Sequence, residues 1–274
     1  MAALGQDQAT PDWLRFADLD EGRIEYQWIG PGPEEAPTLV FLHEGLGSVE
    51  LWRGFPERVA AATGLGAVVY SRFGYGRSAP SRLPRSTRFM HDEALDVLPR
   101  LVRAWGLRDF LLVGHSDGGS IALIYAGAVA APGLKGVITE AAHIFLEPIS
   151  TASIRAARDA FENGDLARRL ARYHGANTNC AFWGWAGPWL DGDFTAWSLT
   201  EYLPTIPVPV LAIQGEGDEY GTVAQLDGIV AQAGRATGPG ARRLLIPDCR
   251  HSPHLDRPDI VLDAMTGFIA EVLP

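Results

Sequence analysis

The chain of 274 residues has little that would staple it covalently or attach it to a charged surface. Its two cysteines, Cys180 and Cys249, lie far apart in no CxxC or Cys/His spacing, which excludes a disulfide framework and a structural zinc site; free thiols with a packing role are expected. No stretch approaches the roughly 18 apolar residues that span a bilayer. The first residues, MAALGQDQATPDWLRF, have neither a basic start nor an apolar core segment, so a cytoplasmic protein without a membrane partner is the expectation. Basic residues are outnumbered, 23 Lys and Arg against 33 Asp and Glu, giving a formal charge of −10, and nucleic acid or an anionic surface is not expected as partner. Repeats and low-complexity tracts are missing. So are HExxH, GxxxxGK and a GxGxxG after a first strand, and with them any expected metal or nucleotide cofactor.

What is present is an ordinary globular composition, 47% hydrophobic with 31 glycines and 19 prolines. Short β-branched runs alternate with longer amphipathic ones, the pattern of an α/β fold whose mostly parallel sheet has helices on both faces. Strands are predicted at RIEYQWIG, TLVFL, AVVYS, FLLVG, GVITEA, PVLAIQG and RRLLIP, and helices near 50–63, 90–106, 117–130, 222–233 and 258–272. The alternation fails once, between Glu147 and Ile206, which reads as an insertion. Its first part, TASIRAARDAFENGDLARRLARYHG, predicts two helices with a turn at Asn163-Gly164; its second carries Trp183, Trp185, Trp189 and Trp197. Those rings serve either as the insertion's own core or as walls of a substrate pocket.

After FLLVG comes GHSDGGS, a G-x-S-x-G pattern at Gly114, Ser116 and Gly118 between a buried strand and an apolar helix. A sharp turn there lifts the serine to the carboxyl end of the sheet. Serine is a poor nucleophile unless a base takes its proton and an acid fixes the base's tautomer. Asp218, at the end of GEGD, and His251, in DCRHSPH, both follow predicted strands and complete the order Ser116, Asp218, His251. His254 stands as a rival base and Glu140 as a rival acid. His115 is expected to pack beneath the elbow, and His91 and His174 read as surface or helix positions.

These motifs, with HEGLGS at 43–48, SRFGYGRS at 71–78 and RHSPHLDRPD at 250–259, resemble the α/β-hydrolase superfamily, in particular serine esterase-like members with a helical cap. The resemblance spans nearly the whole chain. It implies an α/β-hydrolase core of residues 1–146 and 207–274 with a helical cap at 147–206. One departure is Arg250, where relatives usually carry glycine before the histidine. Backbone N–H groups must meet the oxyanion of acyl transfer; one is expected from Asp117, and the resemblance assigns the second to Gly45. Glu44 then neighbours an oxyanion donor. A carboxylate about 6 Å from the oxyanion would oppose it by roughly 3 kcal/mol. Glu44 is therefore expected to be a structural carboxylate, paired with Arg72 or Arg77.

The function implied is hydrolysis of a small carboxylic ester, or a thioester, through an acyl-enzyme on Ser116, with His143, Trp183, Trp185 and Trp189 lining the substrate pocket. Carbon–carbon bond hydrolases, lyases and perhydrolases share this scaffold, and a low-turnover ligand-binding protein is the reading from another class. A tryptophan-rich cap could also present a homodimer surface.

Overall fold

The computed structural model describes residues 11–236 and 238–273. The N-terminal stretch read for a leader thus falls, over residues 1–10, outside the described residues. Among those described, eight strands form one sheet: β1 (Arg15–Leu19), β2 (Gly22–Ile29), β3 (Thr38–Leu42), β4 (Gly66–Tyr70), β5 (Phe110–His115), β6 (Leu134–Glu140), β7 (Val210–Gly215) and β8 (Ala241–Ile246). Their order is β1-β2-β4-β3-β5-β6-β7-β8. The first two strands join antiparallel and the rest are parallel. The sheet of the α/β-hydrolase fold is therefore present, with one edge strand, β1, that the sequence reading lacked.

Alternation along the central strands decides the layers. Leu39, Phe41, Leu111 and Val113 face one way and pack with α1 (Phe55–Thr63) and the last helix, while Val40, Leu42 and Leu112 face the other. That second layer includes α2 (Phe89–Asp92), which runs through a wide π turn into α3 (Leu98–Ala104), and α4 (Asp117–Ala128). Each fully buried aliphatic side chain contributes roughly 1.5–3 kcal/mol, which is why the near-continuous apolar strands sit at the centre. His91 takes the helix position of the two expected for it and is buried beside Tyr202.

Between β6 and β7 the chain forms α5 (Pro148–Glu162), α6 (Leu166–His174) and α7 (Thr178–Leu190). After β7 come α8 (Val223–Gln232), α9 (Pro253–Asp256) and α10 (Pro258–Val272). The chain leaves β3 for β4 on one side and returns as β5 on the other. Loops diverge at this switch point, where open sheets bind ligands. Pairing Leu42 with Gly114 and His115 with Glu140 sets the ends of β3, β5 and β6 side by side.

Candidate active site

Strand β5 ends in a turn at Ser116, whose backbone sits at φ 53 and ψ −119, a conformation that a residue with a side chain adopts only under strain. The Ser116 N–H donates to the Glu140 carbonyl at 2.8 Å, tying the turn to β6. Any Cβ on Gly118 would collide with the Leu42 carbonyl, so only glycine lets α4 start this close to β3.

His251 and Asp218 converge on that serine from the loops after β8 and β7. His251 Nε2 lies 2.9 Å from Ser116 Oγ, and His251 Nδ1 donates to Asp218 Oδ1 at 2.7 Å. Asp218 also accepts from the Tyr220 N–H at 2.8 Å and from Gln214 Nε2 at 3.2 Å. Burial pushes its carboxyl pKa up, but His251 and the Tyr220 N–H outweigh burial and hold it below the usual carboxylate range. Arg250 leaves this arrangement undisturbed because its backbone N–H and guanidinium both turn to Asp256.

The two rivals bind each other. Glu140 accepts from the backbone N–H of His254 at 2.9 Å and from its Nδ1 at 3.0 Å, fully buried beneath the elbow. His115 lies in the same layer, its ring 5.0 Å from that of His254, and donates from Nε2 to the His251 carbonyl at 2.7 Å.

The HEGLGS loop rests on a buried arginine. Arg72 donates through its guanidinium to the carbonyls of His43 and Glu44 and through its backbone N–H to His43 Nε2, while His43 Nδ1 donates to the Glu44 carbonyl. This overturns the expected pairing of the Glu44 carboxylate. The Arg72 fork is spent on backbone carbonyls, and Arg77 pairs with Glu50 and Glu25. The Glu44 carboxylate instead faces His115 Nδ1 at 3.6 Å. Burial raises its pKa, yet His115 and His43 together hold it below the usual carboxylate range, so it stays ionised. Asp117 is the reverse case. Fully buried, it accepts from Trp189 Nε1 at 3.2 Å, and burial pushes its carboxyl up to about 6 despite the nearby Arg72.

A small cavity opens over these groups. It is lined by Gly45, Ser116, Asp117 and His251 and by Glu44, Leu46, His143, Ser150, Ile154, Trp185, Trp189 and Tyr220. His143 donates from Nε2 to the Tyr220 carbonyl at 3.2 Å; burial pushes its pKa down to about 4, so the ring is neutral beside Trp189. Trp183 is not part of the lining, contrary to expectation: it packs against Phe161 and Phe182. Trp185 and Trp189 are four residues apart on α7 and share a face, whereas Trp183 is two from Trp185 and points the other way. His174, the last residue of α6 and so at a helix position as expected, is buried; it accepts from the Gly76 N–H and donates to the Leu46 carbonyl, both at 3.0 Å, pinning the HEGLGS loop.

Tyr220, Ser150 and Ile154 are lining residues the sequence reading missed. Tyr220 follows Asp218 by two in one loop, and Ser150 and Ile154 are one helical turn apart, so both signals were present. Among the described residues no three His, Cys, Asp or Glu side chains come together as a metal site would require, and no helix is long and apolar enough to cross a membrane.

Comparison with known proteins agrees with this fold. The model of a family described as the alpha/beta hydrolase family matches residues 39–264, and the chain belongs to that family. No curated protein matches it. Its fold is similar to the crystal structure of VinJ, with 22% identity over 96% of this chain and 100% of that one and a TM-score of 0.72. It is similar also to an esterase from Thermogutta terrifontis, with 17% identity over 95% of this chain and 99% of that one and a TM-score of 0.71. A serine hydrolase involved in carbazole degradation, CarC, has 16% identity over 94% and 98% of the two chains and a TM-score of 0.71. At such identities the likeness speaks for the fold alone.

Proposed function

Starting from a chain of the alpha/beta hydrolase family, we propose that this protein is a serine hydrolase that cleaves a small carboxylic ester, or the chemically equivalent thioester. The observation that carries the reading is the relay from Ser116 Oγ through His251 to Asp218, at 2.9 and 2.7 Å, opening onto one cavity. His251 Nε2 takes the Ser116 proton as Oγ attacks the ester carbonyl, and Asp218 keeps the proton on Nδ1 and stabilises the imidazolium. The tetrahedral oxyanion is met by the backbone N–H groups of Gly45 and Asp117. Its collapse expels the alcohol or thiol, which leaves with the proton from His251. Water, deprotonated by the same nitrogen, then attacks the acyl-enzyme and releases the carboxylic acid, restoring Ser116.

Residues 147–206 act in this proposal as a cap over a core of residues 1–146 and 207–274. The lining of Trp185, Trp189, Tyr220 and Ile154 favours an apolar or aryl portion of the substrate. The test is hydrolysis of p-nitrophenyl esters from acetate to octanoate, with benzoate, by wild type and Ser116→Ala in parallel. Turnover by wild type and at least a thousandfold loss in the variant is the expected result; equal rates in the two would refute it.

A further inference from the structure

The two tryptophans that line the cavity differ in what their indole N–H groups do. Trp189 Nε1 donates to Asp117 Oδ1. Trp185, although 94% buried by its 6% exposure, directs its N–H to no acceptor among the described residues. Its pyrrole edge, Nε1 and Cδ1, lies directly over Gly45, so close that a Cβ on Gly45 would overlap both atoms. That edge borders the cavity that Gly45, Ser116 and Asp117 also line. Trp185 Nε1 is not among the enclosed unpartnered donors, unlike Trp52, Trp105 and Trp197 Nε1; it opens on the cavity, where it is free to donate to what binds there.

Resting on the esterase reading above, we propose that the Trp185 indole N–H is a third donor to the oxyanion, beside the backbone N–H groups of Gly45 and Asp117. An acyl group on Ser116 brings its carbonyl oxygen to the side of the elbow where Gly45 and Asp117 stand, and Trp185 Nε1 is the donor seated over Gly45. A third donor also answers an electrostatic need, because the ionised Glu44 carboxylate adjoins the same loop and opposes negative charge. The indole belongs to α7, so the oxyanion hole is complete only when the helical segment is seated on the core.

The experiment replaces Trp185 in the full chain by 3-benzothienylalanine, which keeps the bicyclic shape and substitutes sulfur for N–H, with Trp185→Phe as a second variant. Turnover of the best p-nitrophenyl ester and affinity for an aryl trifluoromethyl ketone, which adds to Ser116 as a tetrahedral oxyanion, are measured on each. The expected result is kcat lower by about 10- to 100-fold with KM within about twofold, and ketone affinity lower by a similar factor, at unchanged melting temperature. A benzothienyl variant equal to wild type in kcat and ketone affinity overturns the third donor while leaving the esterase reading intact. Should wild type neither turn over esters nor form the ketone adduct, detected by fluorine NMR, the esterase reading falls and the donor with it.

Discussion

The strand ends hold two acid–histidine pairs, one above the other, that are nearly the same in local geometry and opposite in situation. Asp218 and His251 meet at 2.7 Å and Glu140 and His254 at 3.0 Å, each through Nδ1 of the imidazole. The first histidine reaches Ser116; the second is wedged against Trp52 and Phe55, with ring centroids 4.8 and 5.5 Å away. An acid beside a histidine thus says little about chemistry until the free nitrogen is followed to its partner. Where that nitrogen meets a hydroxyl in a cavity the pair can move protons, and where it meets aromatic rings the pair is packing.

The strongest way to break this contrast is to delete each imidazole. His251→Ala is expected to lower kcat/KM by about 10⁴-fold with little change in melting temperature. His254→Ala strands a buried carboxylate and is expected to cost about 3–5 kcal/mol in stability by urea denaturation, with turnover of the folded fraction within tenfold of wild type. The acids give the next effect: Asp218→Asn should reduce kcat by about 10²- to 10⁴-fold. Glu140→Gln should instead cost about 1–3 kcal/mol of stability.

Asp117 sharpens the comparison, being a buried acid with no histidine of its own. Its pKa of about 6 lies above the ordinary 3.8, so the native state keeps the proton between those values while the unfolded chain releases it. Its contribution to stability is therefore fullest below pH 4 and falls as pH rises to about 6. Asp117→Asn removes that fall. Its melting temperature relative to wild type should rise by several degrees between pH 4 and pH 7, about 2–3 kcal/mol, as read by calorimetry. The smallest effect concerns the two faces of α7: Trp183→Leu should lower stability by about 1–2 kcal/mol without altering the chain-length profile of ester hydrolysis, whereas Trp189→Phe should shift that profile several-fold.

Much of the fold was legible because its signals are local. TLVFL, FLLVG and PVLAIQG announce buried strands by composition, and the residues the structure brings together at their ends, Ser116, Asp218 and His251, could be found by counting along the chain. The edge strand RFADL was not legible, since two of its five residues, Arg15 and Asp18, are charged, only Ala17 is buried, and it carries no apolar run. The partner of Glu44 was hidden for another reason. Opposite charges in neighbouring motifs suggested an ion pair, but both Nη groups of Arg72 are turned to the carbonyls of the loop itself and away from the Glu44 carboxylate. Helix α7 was disguised by Gly184, Gly187 and Pro188, and without a helical reading the opposed faces of Trp183 and Trp185 could not be separated. His174 and His115 act through partners more than a hundred residues away, which no spacing rule reaches.

The close seat of Trp185 on Gly45 also constrains the order in which the two positions can be substituted. Position 45 cannot gain even a methyl group while the indole stands over it, yet position 185 can shrink while glycine remains. Starting from this chain, alanine at 45 is accommodated only after the ring at 185 has shrunk or moved, so a variant at 45 carries a remade wall of the site with it.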